Sequence, residues 1–218
     1  SIFVINMIPI HQFNPHNSLM FFLILFSFLF VGFLRAFYWK HTKLLLIAPF
    51  QYRYASQYLR QDNAFTERVN WLSFIILFIN FSLLLVFNKQ ILIFENHLLF
   101  LCLVFVFYFL KFYLIKFLGK LLFIHEVARL TIFYTFISDK ALAILITPLI
   151  LILFYFSVNI DVLILYSILF LSIVFLLFKL YWIWKVGTNS FGLSSIYIFL
   201  YLCILEIYPF VIITKGFF

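Results

Sequence analysis

Long apolar runs are the feature that most constrains this chain. Six of them approach the roughly 20 residues that a helix needs to cross the hydrocarbon of a bilayer. Hydrophobic residues make up 67% of the chain and charged residues 10%, whereas a soluble domain is about half apolar and about a quarter charged. We therefore exclude a water-soluble monomer and intrinsic disorder, and predict an all-α integral membrane protein. The predicted spans cover about residues 18–38, 71–87, 98–118, 141–158, 160–181 and 191–214.

Two further segments are predicted to be interfacial and amphipathic. Lys40–Asn70 mixes basic residues with aromatic rings, which settle at headgroup level. Lys120–Lys140 combines an apolar face that includes Phe133 with a predicted polar side that includes Thr135. Each segment is interpreted as a helix on the bilayer surface or as a surface that docks a partner. The residues chosen for these roles are Tyr52, Arg53, Tyr54, Arg60, His125, Glu126 and Arg129.

The distribution of basic residues predicts an orientation. Of the 15 Lys and Arg residues, only Lys89 and Lys215 fall on one side of the predicted spans. Basic residues collect on the cytoplasmic side, so 40–70 and 119–140 are expected inside and both termini outside. Residues 1–17 contain no Lys or Arg and are expected to form an extracytoplasmic segment before a retained first span, with 18–218 forming the six-span domain.

No catalytic or metal-binding pattern is complete. His125-Glu126 begins like the zinc-protease motif H-E-x-x-H, but Arg129 occupies the position of the second ligand. We therefore predict an ordinary Glu126–Arg129 surface pair. Gly192-Leu193-Ser194 is similar to an intramembrane serine-protease site, but no His follows residue 125 to act as its base. We assign no catalytic residue, metal or cofactor, and we interpret Cys102 and Cys203 as small apolar residues.

Polar residues inside the predicted spans carry the most functional information. Glu206 lies in the sixth span, three residues before Pro209, which is expected to kink that helix. Lys111 and Asn80 lie at broadly similar predicted depths in the third and second spans. A charged residue in hydrocarbon is expensive and marks a functional candidate. Two interpretations stay open. These residues form a proton or ion relay, or Glu206 is structural and either pairs with Lys111 or stays neutral and hydrogen-bonded.

Three stretches together resemble a known family. They are Arg35–Tyr54, Phe109–Phe123 and Leu200–Pro209, the last containing Leu205-Glu206-Ile207-Tyr208-Pro209. Their order and spacing resemble an uncharacterised family of multi-pass inner-membrane proteins from Bacteroidota. The resemblance covers about residues 18–218. It implies a six-span bacterial inner-membrane protein without established enzymology, and suggests an envelope process such as protein secretion or gliding.

Four functions remain open from the sequence; the one ranked last is a membrane enzyme acting on lipid, which lacks an evident nucleophile or metal site. The leading hypothesis is a non-enzymatic subunit of an inner-membrane complex, with membrane lipids and other integral subunits as partners and no role in binding nucleic acid. The second is a proton- or ion-coupled transporter that uses Glu206. The third is a respiratory-complex subunit encoded by an A+T-rich mitochondrial genome, which would place the chain in the mitochondrial inner membrane.

Overall fold

The structure, a computed structural model, describes residues 16–60, 64–89, 94–121, 125–155, 161–185 and 188. These residues contain seven α-helices and no strand. The helices are α1 (His16–Phe37), α2 (Trp39–Ile47), α3 (Tyr52–Arg60), α4 (Ala64–Lys89), α5 (Phe94–Leu121), α6 (His125–Tyr155) and α7 (Asp161–Lys185).

Five of these helices are long and apolar enough to cross a membrane, which confirms the prediction of an all-α protein with several spans. The candidate spans are Met20–Phe37, Ala64–Val86, Leu98–Lys120, Ala128–Tyr155 and Leu163–Lys185. The sixth predicted span, 191–214, lies outside the described residues, as do residues 1–15 of the predicted extracytoplasmic segment 1–17; residues 16 and 17 begin α1. The count of six spans therefore stays a prediction.

Two of the spanning helices begin earlier in the chain than the sequence predicts. The α4 helix begins at Ala64 rather than near residue 71, and α6 begins at His125 rather than near residue 141. The segment expected to lie on the bilayer before the fourth span is therefore the first half of a continuous helix of 31 residues. Thr135, predicted on the polar side, is fully buried, so that side of the helix is a packing surface.

The short helices α2 and α3 separate the first two spans. A single residue, Tyr38, interrupts the helix between α1 and α2, with a ψ of 27° that departs from helical geometry. Pro49 lies in the turn between α2 and α3, and its carbonyl accepts a hydrogen bond of 2.7 Å from Trp182 Nε1 on α7. This bond ties the turn to the bundle, because an indole N–H buried among apolar groups requires an acceptor.

Antiparallel packing brings the basic residues to one end of the bundle. Tyr38 at the end of α1 lies 6.1 Å from Phe65 at the start of α4, and Tyr134 in the first half of α6 stacks on Trp182 near the end of α7 at 5.9 Å. We call the end of the bundle that contains Tyr38, Phe65, Tyr134 and Trp182 the basic end. At the opposite end, the ring of Phe21 meets that of Tyr155 at 6.1 Å.

The centre of the bundle is the pair α4 and α6. Over half of their spanning residues are buried (56% and 61%), compared with 22–28% for α1, α5 and α7. The α6 helix packs against α1, α2, α4, α5 and α7. The outer helices therefore surround a central pair, and α6 is the element that contacts most of the others.

Asn80 joins three of these helices. Its side-chain amide donates to the carbonyl of Ala143 and to Thr147 Oγ1 on α6, both at 2.8 Å. Its Oδ1 accepts a bond of 2.7 Å from Ser27 Oγ on α1. The residue is 1% exposed, and these bonds use both of its donors and its acceptor. We call Ser27, Asn80, Ala143 and Thr147 the asparagine junction.

Two buried serines allow the asparagine junction to be tested. Ser27→Ala removes an interhelical bond, whereas Ser82→Ala removes a bond to Ile79 O within α4. Interhelical bonds in membranes are worth about 0.6 kcal/mol on average and up to about 1.7. We expect Ser27→Ala to lower the thermal midpoint of the detergent-solubilised protein and Ser82→Ala to leave it nearly unchanged. Equal midpoints for the two variants would contradict the junction.

Candidate functional site

Polar side chains of α6 meet three neighbouring helices toward the basic end. Asp139 faces α5 and α7, and the adjacent Lys140 faces α4. A helix places successive residues about 100° apart, so two neighbours on α6 reach different partners. The two sites that result are separate in chemistry: one is ionic, and the other combines a cation with neutral groups.

Asp139 is the centre of an ionic cluster with Lys179, Lys111 and Tyr108. Lys179 Nζ donates to Oδ1 at 3.0 Å. Lys111 Nζ lies 3.8 Å from Oδ2, and the Tyr108 hydroxyl donates to the same oxygen at 3.3 Å. The lysine side chains are 7% exposed or less, and that of Asp139 is 15% exposed. A buried charge is tolerated when it is paired and hydrogen-bonded, and these contacts supply both conditions.

Lys140 occupies a different environment. Its Nζ donates to Asn70 Oδ1 at 2.9 Å and lies 3.8 Å from the centre of the Phe74 ring. The same amide oxygen accepts a bond of 2.9 Å from the Tyr58 hydroxyl of α3. Burial raises the pKa of Tyr58 above its usual value, so the phenol keeps its proton and acts as a donor. Lys140 is thus held by a carbonyl dipole and an aromatic face.

A half-open cavity of about 280 Å³ lies beside Lys140. Tyr58, Asn70 and Lys140 form its polar wall. Its apolar wall consists of Phe74, Phe112, Ile132, Phe133, Phe136 and Ile137. The cavity therefore lies between α3, α4, α5 and α6, with a positively charged side chain on one wall and aromatic rings on the other.

The intramembrane candidates chosen from the sequence have separate locations. Asn80 lies in the asparagine junction and Lys111 in the ionic cluster, both buried. Glu206 and Pro209 lie outside the described residues, so their predicted roles, including a Glu206–Lys111 pair, stay predictions. Within the described part of the chain, the carboxylate that pairs with Lys111 is Asp139.

The interfacial candidates do not converge on one site. Tyr54 is half-buried and Tyr52 belongs to α3, while five others are exposed: Arg53, Arg60, His125, Glu126 and Arg129. The predicted Glu126–Arg129 surface pair is wrong, because the structure forms no ion pair between these two described residues. At this exposed position, the freedom of both side chains outweighs a weak attraction.

Sequence reasoning missed six residues of the two sites: Tyr58, Asn70, Tyr108, Asp139, Lys140 and Lys179. The sequence places Asp139 and Lys140 in the predicted interfacial segment Lys120–Lys140, and Lys179 near the end of the predicted span 160–181. One signal could have found the acid: Asp139 is one of only seven Asp and Glu residues in the chain. An acid that adjoins a long apolar run requires a partner, and the lysines of neighbouring spans are the available ones.

No metal site is formed by the described residues, since no three His, Cys, Asp or Glu side chains come together there. Cys102 is a free thiol on the exposed face of α5. The described side chains of the site form ion pairs and hydrogen bonds.

Helices of spanning length around a paired ionic core are characteristic of a polytopic membrane protein, and this is the class that the fold defines. Residues 20–217 match a family described as Domain of unknown function (DUF4271), and the chain belongs to that family. The expected membership of an uncharacterised family is thus confirmed, while its restriction to Bacteroidota stays a prediction. Neither the curated proteins nor the solved structures contain a match to this chain.

Double-mutant cycles on the ionic cluster give a ranked prediction. Asp139→Asn is combined with Lys179→Met or with Lys111→Met, and the free energy of unfolding is measured in mixed micelles. We expect a coupling of about 1–3 kcal/mol for Asp139–Lys179 and a smaller one for Asp139–Lys111, because the respective N–O distances are 3.0 and 3.8 Å.

The control for these cycles is Lys43→Met, since Lys43 is exposed on α2. Its coupling to Asp139→Asn should be close to zero. Couplings that are the same for all three lysines would mean that overall charge, rather than the contact with Asp139, sets the stability.

Proposed function

We propose that this chain is a non-enzymatic subunit of a protein complex in a bacterial inner membrane. The observation that carries the proposal is an aromatic ridge on α5, formed by Phe105, Phe109, Tyr113 and Phe117. These side chains follow one another at intervals of four residues, and each is 53–61% exposed. Residues four apart form one ridge on a helix surface, and such ridges pack into the grooves of another helix.

The aromatic ridge is ordered by contacts within the chain. The rings of Phe105 and Phe109 lie 6.3 Å apart, and those of Phe109 and Tyr113 4.5 Å apart. Phe105 also contacts Phe78 of the central helix α4 at 5.6 Å. Helices associate in membranes chiefly through van der Waals packing. A prearranged ridge loses little side-chain freedom when a partner helix covers it, which supports α5 as the docking helix.

The proposed orientation places the basic end in the cytoplasm and both termini in the periplasm. The positive-inside rule supports it, because only Lys89 and Lys215 fall on the other side of the six proposed spans. The resemblance described above supports a role in envelope protein secretion or gliding. A cysteine introduced at the exposed Gln57 of α3 tests the orientation: labelling by an impermeant maleimide outside intact cells would contradict it.

The ionic cluster favours a second candidate, a proton- or ion-coupled transporter. Asp139 lies between two lysines and a phenol, and paired acids within spans often mark proton or ion pathways. In this function Asp139→Asn would abolish transport in a folded, inserted protein. In a structural subunit, the same variant would keep its assembly and lose only stability.

Site-specific photo-crosslinking tests the subunit proposal in living cells. A photoreactive phenylalanine analogue replaces Phe109 on the aromatic ridge or Phe170 on the outer face of α7; the two residues are 54% and 69% exposed. We expect a discrete adduct with another protein from position 109 and lipid adducts alone from position 170. This result is expected because only the aromatic ridge is proposed to dock a partner helix.

Phe170 is the matched control, since it is the same residue type on a second outer helix with comparable exposure. The subunit proposal fails if neither position gives a protein adduct and the purified chain is monomeric by light scattering in mild detergent.

A further inference from the structure

Lys140 is a buried cation without a carboxylate partner among the described residues. It is 6% exposed, and its neighbours are the Asn70 oxygen and the Phe74 ring. Asp139, the adjacent residue, points instead to Lys179 and Lys111. A buried charge is costly without a counter-charge, so this position is suited to a negatively charged group from outside the chain.

The cavity beside Lys140 presents a second hydrogen-bond donor. Asn70 uses its side-chain oxygen for both Lys140 and Tyr58. Its amide nitrogen has no partner among the described residues, and Asn70 lines the cavity together with Lys140. An anionic oxygen in the cavity would receive hydrogen bonds from an ammonium and an amide, of which the charged bond is the stronger.

The apolar wall of the cavity favours a ligand that has an apolar part as well as an anionic group. Six of its nine lining residues are Phe or Ile. Its volume of about 280 Å³ matches roughly nine water molecules at about 30 Å³ each, which is enough for a small headgroup or part of an acyl chain. Asn70 and Lys140 lie within candidate spans, whereas Tyr58 belongs to the short helix α3. The cavity therefore extends from the end of the bundle into its apolar part.

Two exposed basic residues lie on the side of the cavity that faces the basic end. Lys116 lies one helical turn beyond Phe112 on α5, and Arg129 one turn beyond Phe133 on α6, so each shares a helix face with a lining residue. Both are exposed, and neither pairs with a carboxylate in the described part of the chain. Basic residues at this level attract anionic lipids, by about 1 kcal/mol each near a membrane surface.

We propose that this cavity binds an anionic phospholipid, with its phosphate at Lys140 and Asn70 and its glycerol and acyl carbons against Phe112, Phe133 and Phe136. Lys116 and Arg129 guide the headgroup to the site. Phe112 contacts Tyr113 of the aromatic ridge, with ring centres 5.8 Å apart. The lipid phosphate is held by Lys140 and Asn70, which do not belong to the ridge, so the lipid site does not depend on the proposed role as a subunit.

Lipid-dependent thermal stability tests the site on the full chain in detergent. The probes are dioctanoyl phosphatidylglycerol, dioctanoyl phosphatidylcholine with the same acyl chains, and inorganic phosphate. We expect a saturable rise in the melting midpoint with phosphatidylglycerol only. Lys140→Met should raise the half-saturating concentration of phosphatidylglycerol about tenfold or more, the factor expected for the loss of a charge-assisted hydrogen bond. The control Lys43→Met, an exposed change on α2, should not alter it.

A second variant separates lipid binding from folding. Ile132→Trp adds bulk to the apolar wall and leaves Lys140 unchanged, so it should keep the basal melting midpoint and lose the response to phosphatidylglycerol. The proposal is overturned if phosphatidylcholine stabilises the protein equally, or if Lys140→Met and Ile132→Trp both keep the full response. Equal stabilisation by inorganic phosphate would assign the site to a soluble anion and overturn the lipid assignment.

Discussion

Hydrocarbon offers no water to a buried polar group, and the described structure depends on how α6 meets that constraint. An unsatisfied polar group in a membrane costs several kcal/mol. Asp139 bonds to α5 and α7, while Lys140 and Thr147 bond to two different levels of α4. Apolar packing alone fixes the rotation of a membrane helix weakly, because lipid tails are as apolar as leucine. The polar contacts of α6 therefore define which faces of α4, α5 and α7 turn inward.

The packing of the bundle bears on both proposed functions, the subunit and the transporter. The asparagine junction and the ionic cluster hold the central helices, while most of the spanning residues of the outer helices are not buried in the bundle. In the subunit proposal, the buried charges provide specificity of packing and the aromatic ridge of α5 provides the contact. In the transporter alternative, the same ionic cluster would change its protonation during a cycle. The two proposals predict different behaviour for a protein in which Asp139 is replaced.

Hydropathy predicted the helices but not their partners. The apolar runs placed five described spans because length and composition alone determine whether a helix can cross a bilayer. The same reasoning began the fourth span too late, at residue 141 instead of Ala128, because Thr135, Asp139 and Lys140 resemble polar surface residues when only the sequence is considered. In three dimensions, Asp139 pairs with Lys179, which lies 40 positions away in the sequence. Pairings of this kind depend on helix rotation, which no local pattern specifies, and Asn80 could be chosen only for its depth.

The carbonyl of Ala143 reports most directly on the central claim, that polar contacts of α6 hold the bundle. It accepts side-chain bonds from Asn80 and Thr147, at 2.8 and 3.1 Å. Ala143-Ile144 is the only Ala-Ile pair in the chain. Carbonyl-¹³C alanine with ¹⁵N isoleucine therefore isolates this carbonyl in solid-state NMR of the protein in bilayers. Our account predicts a downfield carbonyl shift that moves upfield in Asn80→Leu and not in Ser82→Ala. An Ala143 shift that is the same in all three proteins would contradict it.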